Sequence, residues 1–206
     1  MNGIIGRKIG MTSIYDSAGK NVACTVIEAG PNVVTQVKTT DSDGYNAIQL
    51  AFGEKRAKST TKPLAGHFAK AETAPKSAVK EFRDYPLVKT LGELVKVNEV
   101  LKEGDKVAAI GVSKGKGFQG VVTRHNFSGV GARTHGQHDR ERAPGSVGAS
   151  SYPSKVVKGL RMAGHLGSDR VKVRNLKVVK ILEDKNLVLI HGAVPGAKGS
   201  IVMIVK

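Results

Sequence analysis

The sequence predicts a mainly β protein, a barrel or a sandwich, with a few short helices and one long glycine-rich basic insertion. Short β-branched segments separated by turn residues occupy both ends of the chain. Between them, no apolar period is sustained from Ser128 to Tyr152, so this stretch cannot bury a face of its own. A length of 206 residues fits one domain, or one domain carrying an insertion.

Before the basic region, four segments are typical of strands: NVACTVIEAG, NVVTQVKTT, NAIQLAFG and KVAAIGVS. After it, three more are RVKVRNLKVVKIL, NLVLIHGAV and SIVMIVK. We expect short helices in PLAGHFAKAE, VNEVLKEG and GFQGVVTRHNF, and solvated surface loops in AKSTTKP and ETAPKSAVK, around residues 53–90. Because strands flank the basic region on both sides, we interpret residues 1–112 and 171–206 as one β domain. We call residues 113–170 the arm, an insertion between two of its strands.

The charge of the chain is uneven. Lys and Arg number 33 against 17 acids, a net charge of +16, and residues 111–174 hold +9 of it. Such an excess attracts polyanions, and both nucleic acid and an anionic membrane surface qualify. No segment approaches the roughly 18 apolar residues of a spanning helix, and the N-terminus lacks the apolar centre of a signal peptide. We therefore expect a cytoplasmic protein.

Cys24 is the one cysteine of the chain, which excludes an intramolecular disulfide and a cysteine cluster for zinc. It lies in the apolar segment NVACTVIEA, which favours a buried structural thiol over a nucleophile.

The segment THGQHDRERAPGSVG contains candidate metal ligands in His135 and His138, three positions apart. Neighbouring glycines and prolines argue against the helix that would bring the two imidazoles together, and neighbouring arginines would repel a divalent cation. The carboxylates of Asp139 and Glu141 alternate with arginines and are expected to pair with them instead of forming an acid–base pair. We therefore predict no metal and no catalytic site here; the histidines, arginines and backbone amides are suited to RNA phosphate and sugar.

Two other motifs fail on their pattern. In GVSKGKGF only three residues separate Gly111 from Gly115, and Gly117 stands where a phosphate-binding loop needs Ser or Thr. In PGSVG, Pro144 replaces the first glycine of a nucleophile elbow, and no strand precedes it, which favours a turn near the tip of the arm.

In GFQGVVTRHNF, a helical stripe is formed by Phe118, Val121, Val122 and His125. We expect its apolar members to pack the root of the arm against the barrel. Arg124 lies off the stripe and can face RNA.

Longer motifs resemble the bacterial large-subunit ribosomal protein L3 family. They are SKGKGFQGVVTRHNF, THG, HDRERAPGSVG and the run from Pro153 to Gly167, with GRKIGMTSIYD, TKPLAGHFAKA and VLIHGAVPGAKGS in the same order along the chain. The resemblance implies a non-enzymatic protein without cofactor, built on a translation-protein-type β-barrel. It also implies direct, early binding to large-subunit (23S) rRNA, an arm reaching between RNA helices towards the peptidyl-transferase region, neighbouring ribosomal proteins as partners, and a place on the cytoplasmic ribosome.

The family motif Gly-Ser-Ile/Val-Gly matches Gly145 to Gly148, at what the resemblance implies is the inner end of the arm. Many bacterial members have a methylated glutamine next, whereas this chain has Ala149, so we expect that modification to be missing. The predicted RNA-binding residues are Lys114, Lys116, Arg124, His125, Arg133, His135, His138, Arg140, Arg142, Gly145, Ser146, Gly148, Ser150, Tyr152, Lys155, Lys158 and Arg161.

Two other classes compete with this interpretation. An RNA-modifying or nucleotide-using enzyme would need a cofactor loop or an acid–base pair that the motifs do not supply. A membrane or general polyanion binder acting through charge alone would be indifferent to RNA fold.

Overall fold

Strands dominate the computed structural model, which describes residues 2–16, 18–86, 88–131, 135–136 and 139–206. In chain order the strands are β1 (Gly3–Tyr15), β2 (Asn21–Glu28), β3 (Asn32–Lys38), β4 (Ala47–Glu54), β5 (Lys76–Arg83), β6 (Leu94–Val95), β7 (Lys106–Val112), β8 (Phe118–Gln119), β9 (Gly164–His165), β10 (Arg170–Leu182), β11 (Leu187–His191) and β12 (Ile201–Val205). The α-helices are α1 (Thr40–Asp43), α2 (Lys62–Lys70), α3 (Val97–Val100) and α4 (Val121–His125), and single 3₁₀ turns span Ala57–Ser59 and Glu183–Lys185.

Six strands close into an antiparallel barrel in the order β1-β12-β7-β10-β11-β2. Two long strands make closure possible, because each pairs with different neighbours along its length. The first part of β1 pairs with β12 and the rest with β2, while β10 pairs first with β7 and then with β11. Register shifts on both strands give the bends that a small barrel requires. The predicted mainly β class with a barrel is confirmed.

A second sheet, in the order β5-β4-β3-β6, was not predicted as a separate layer. Its inward side chains, among them Leu50, Phe52 and Phe82, belong to the same buried cluster as barrel residues such as Ile4 and Ile204. One continuous core therefore joins the barrel and the sheet.

Six of the seven strand segments match the predicted ones closely, and NLVLIHGAV is a strand only over β11. The sequence prediction is wrong for two longer strands: it gives no strand over β1, and it gives a loop for ETAPKSAVK, although the second half of this segment begins β5. It also gives no strand for the two-residue strands β6, β8 and β9. Four of the eight residues of β5 are charged, so its composition looks solvated although Ala78 and Phe82 are buried.

Cys24 is fully buried on β2, and desolvation raises the pKa of its thiol. Both facts agree with the predicted structural role, since the reactive form of a thiol is the thiolate.

The chain divides into two compact units, Met1–Ser113 with Arg170–Lys206, and Lys114–Asp169. We call the first the barrel unit and the second the arm unit. The chain leaves the barrel after Val112 and re-enters it at Arg170, and these two residues are direct partners in the β7–β10 ladder. The ladder thus fixes the two chain ends between which the arm unit is inserted.

Candidate nucleic-acid interface

The arm unit begins and ends in a two-stranded neck, residues 114–119 and 164–169. Strands β8 and β9 pair there, and the backbone N–H of Lys116 donates to the carbonyl of Leu166 at 2.9 Å. The N–H of Leu166 donates in turn to the carbonyl of Gly117 at 3.0 Å. Two predicted RNA-binding residues, Lys114 and Lys116, are exposed on this paired segment.

Two glycines allow the neck segments to approach each other. Gly167 has a φ of +78°, and a Cβ at this position would collide with the carbonyl oxygen of Lys114. A Cβ on Gly115 would lie 2.6 Å from the hydroxyl of Ser168. Only glycine tolerates both the left-handed backbone and the contact at position 167. The sequence does not indicate this packing role, because the contact joins two residues that lie far apart along the chain.

Helix α4 follows the neck, and its Val121 is the one buried apolar residue among those that the structure describes in the arm unit. Asn126 ends the helix in the left-handed conformation, with a φ of +57°. The predicted helical stripe is only partly present, because the helix starts at Val121. Phe118 lies in β8 instead, with 72% of its surface exposed.

Two predicted RNA-binding residues of α4 contact the chain itself. The guanidinium of Arg124 donates to the carbonyl of Met162 at 2.8 Å, and Nε2 of His125 lies 3.1 Å from the same oxygen. A Cβ on Gly164 would lie 2.5 Å from Nη1 of Arg124, so a larger residue at this position would displace the guanidinium from its place. Both side chains connect α4 to the segment that precedes β9. Met162 lies 38 positions after Arg124 and 37 positions after His125.

A second internal link involves the turn after α4. The N–H of Val130 donates to the carbonyl of Glu141 at 3.2 Å, and a Cβ on Gly129 would collide with that oxygen. The guanidinium of Arg142 donates to the hydroxyl of Thr123 at 3.2 Å. Beside this turn lies a cavity of about 380 Å³, lined by residues 125–130, 143–145 and Arg161.

From Pro144 to Ala163, every residue is exposed. Here the hydroxyl of Ser146 donates to the carbonyl of Gly148 at 2.9 Å, and Tyr152 is 88% exposed. Eight predicted RNA-binding residues lie in this stretch: Gly145, Ser146, Gly148, Ser150, Tyr152, Lys155, Lys158 and Arg161. Their backbone and side-chain donors are open to a partner, which is the arrangement that phosphate and sugar contacts require.

The segment with the two candidate metal ligands, residues 134–148, lies only partly among the residues that the structure describes. His135 and Arg140 are exposed, whereas Arg133 and His138 lie outside the described residues. Among the residues that are described, no three His, Cys, Asp or Glu side chains are grouped to hold a metal ion.

The expected pairing of Asp139 and Glu141 with arginines is not seen for the described Arg140 and Arg142, since Arg142 reaches Thr123 instead. Within the described part of the chain, no helix is long and apolar enough to cross a membrane.

Comparison with known proteins adds two findings. Residues 77–187 match the family model described as Ribosomal protein L3, a range that includes the whole arm unit. The chain is also similar to the Large ribosomal subunit protein uL3 of Salinibacter ruber (strain DSM 13855 / M31), with 56% identity over 205 residues. That match covers 100% of this chain and 99% of the relative.

Proposed function

The chain belongs to the ribosomal protein L3 family, whose members are structural and not enzymatic, and on this premise we propose that it binds large-subunit (23S) rRNA through its arm unit. One observation carries the proposal. The arm unit combines nine cations and three acids with a stretch of twenty consecutive exposed residues, Pro144–Ala163.

RNA compensates for what such a segment lacks. A chain without a core of its own gains order from a partner that supplies both charge and packing. Glycines allow close approach of the backbone to phosphate, and the planar guanidinium of arginine can donate to two phosphate oxygens at once. The exposed donors between Pro144 and Ala163 therefore fit between RNA strands better than they fit a small substrate.

The internal contacts divide the predicted site residues into two roles. Arg124 and His125 hold the fold of the arm unit through the carbonyl of Met162, while Arg140, Lys155, Lys158 and Arg161 present exposed charge. We assign direct phosphate contacts to the second group. The first group acts on RNA binding by positioning the chain.

From its membership of the family, we further propose that the protein joins the large subunit early in assembly. There it lies next to other ribosomal proteins of the cytoplasmic ribosome. The segment Gly145–Gly148 lies at the inner end of the arm, towards the peptidyl-transferase region. Ala149, in place of the frequently methylated glutamine, makes this chain unmodified at that position, which intact-mass analysis of the purified protein can check.

Sedimentation of cell lysate through a sucrose gradient tests the proposal. After a stringent salt wash, we expect the chain to migrate with the large subunit. Salt screens ionic contacts, but the fit of the chain to the folded RNA also holds it there. Ribonuclease treatment of the same lysate serves as the control and is expected to move the chain to the top. A chain that stays at the top without ribonuclease, or that washes off at modest salt, contradicts the proposal.

A further inference from the structure

We propose that the barrel unit carries a second RNA-binding site, a phosphate pocket on the outer face of β7, β10 and β12. It rests on the proposed function, since it takes RNA as the partner, but it lies outside every residue predicted to bind RNA from the sequence. The pocket has a volume of about 280 Å³. Four cationic side chains line it: Lys106, Lys172, Arg174 and Lys206.

The pocket is built by an irregularity in the β7–β10 ladder. Val173 pairs with Ala109 and Leu176 with Val107, so Arg174 and Asn175 together face the single residue Ala108. Such a bulge redirects a side chain that a regular strand would place elsewhere, and bulges are frequent next to functional sites. Asn175 adopts a φ of +58° at this bulge. A small residue opposite two larger ones leaves the depression, with Ala108 and Val205 among the lining residues.

The charge around the pocket is neutralised only in part. None of the lining residues is acidic, and among the described residues a carboxylate pairs with only one of the four cations, Lys206, through Asp105 at 2.7 Å. Lys106 also lies directly opposite Lys177 in the ladder, and both are exposed. Like charges at directly opposed positions destabilise a sheet, and an anion bound beside them removes that cost.

The chemistry of the rim favours the phosphodiester of RNA. The guanidinium of Arg174 can donate to two oxygens of one phosphate, while Lys106 and Lys172 add point charges on either side. A polymer with one charge per nucleotide engages several such cations at once, and the release of its counterions drives binding. The pocket thus gives the folded barrel unit a contact of its own with the RNA that the arm unit enters.

The first test compares the salt dependence of binding to deproteinised large-subunit rRNA, with transfer RNA as competitor. The variant is Lys172→Gln with Arg174→Gln in the full-length protein, and the control is Lys58→Gln with Lys70→Gln, two exposed lysines of the same unit. We expect the slope of log affinity against log salt to fall by about 1.4 to 1.8 in the variant, because two phosphate contacts are lost. The control is expected to keep the slope of the unsubstituted protein. Equal slopes for variant and control would overturn the inference.

Chemical footprinting of the unsubstituted protein keeps the test independent of the folding of any variant. Acetylation of lysines, read by mass spectrometry, is expected to be at least about fivefold slower at Lys106 and Lys172 when the rRNA is bound, with Lys58 unchanged. If Lys106 and Lys172 react equally fast in the free and in the RNA-bound protein, the inference that the pocket binds RNA is overturned.

If the proposed function itself is wrong, the result is different. Large-subunit rRNA is then bound no more tightly than transfer RNA, by the variant and by the unsubstituted protein alike.

Discussion

The barrel unit and the arm unit are stabilised by different means. In the barrel unit, side chains from the barrel and the second sheet form one buried cluster, with Ile4, Val188 and Ile190 completely inaccessible. In the described part of the arm unit, Val121 alone is a buried apolar residue. Apolar burial is the dominant favourable contribution to folding, so the barrel unit is stabilised by its own core, whereas the described part of the arm unit has backbone and side-chain hydrogen bonds with little apolar burial.

Charge separates the two units in the same direction. The barrel unit has 24 cations and 14 acids, while the arm unit has nine cations and three acids. Acids of the barrel unit pair with several of its lysines, as Asp105 does with Lys206 and Glu81 with Lys38 at 3.0 Å. A region with few acids and little core of its own is therefore the part of the chain that we expect to bind an external anion.

The largest effect is expected from a cavity in the barrel. Ile190→Ala removes a completely buried side chain of β11 and is expected to lower the free energy of unfolding by about 2–5 kcal/mol. Val157→Ala removes a comparable side chain that is 62% exposed in the arm unit, with an expected change within about 0.5 kcal/mol. Urea unfolding of both variants checks the contrast. Similar losses in the two would show that the arm unit contributes to the core after all.

An intermediate effect is expected at the neck. Gly167→Ala adds a collision with the Lys114 carbonyl to the cost of a left-handed residue, about 1–2 kcal/mol. Gly117→Ala is the matched control, because its φ of +70° imposes the same backbone cost while nothing lies within 4 Å of the added Cβ. We expect amide hydrogen exchange at Lys116 and Leu166 to be at least about tenfold faster in Gly167→Ala than in the control. If the two variants exchange alike, the close approach of the neck segments is not needed for its stability.

The smallest effect is expected from the ion pair of the barrel unit. The hydrogen bond from Lys206, followed by that from the backbone N–H of Lys102, lowers the pKa of the Asp105 carboxyl below its ordinary 3.8. A lowered folded-state pKa stabilises the protein above the ordinary value, and this contribution is lost as the pH falls through the folded value.

Asp105→Asn is accordingly expected to lower the free energy of unfolding by about 0.2–1 kcal/mol near pH 7. The difference from the unsubstituted protein should shrink as the pH falls below about 3.8, because the carboxyl is then protonated first in the unfolded chain and, at still lower pH, in the folded protein. Urea titrations across this range check it, and a pH-independent difference would assign the effect to something other than the charge.

The alternation of large apolar residues predicted several of the strands, as Ile48, Leu50 and Phe52 illustrate on β4 of the second sheet, where all three side chains are buried. β1 escaped prediction because glycines interrupt its pattern. A Cβ on Gly6 would lie 2.7 Å from the Glu28 carbonyl oxygen, a requirement that arises only from the neighbouring strand. For the same reason, the sequence does not predict the contact between Arg124 and Met162, which lie far apart along the chain, or the bulge that redirects Arg174. Composition is sufficient to predict a basic arm, whereas the contacts within residues 114–169 depend on the three-dimensional path of the chain.

We expect that exposed arginines of the arm unit, and not the net charge of the protein, hold the chain in the large subunit. Competition between tagged variants and the unsubstituted chain in the same cells tests it most directly, with quantitative mass spectrometry of purified large subunits as the readout. Arg140→Glu with Arg161→Glu is compared with Lys58→Glu and Lys70→Glu, which make the same charge change on the barrel unit. We expect the arginine variant to be largely excluded from the subunit while its barrel unit stays folded. The lysine variant should be incorporated normally. Equal incorporation of the two variants would contradict it.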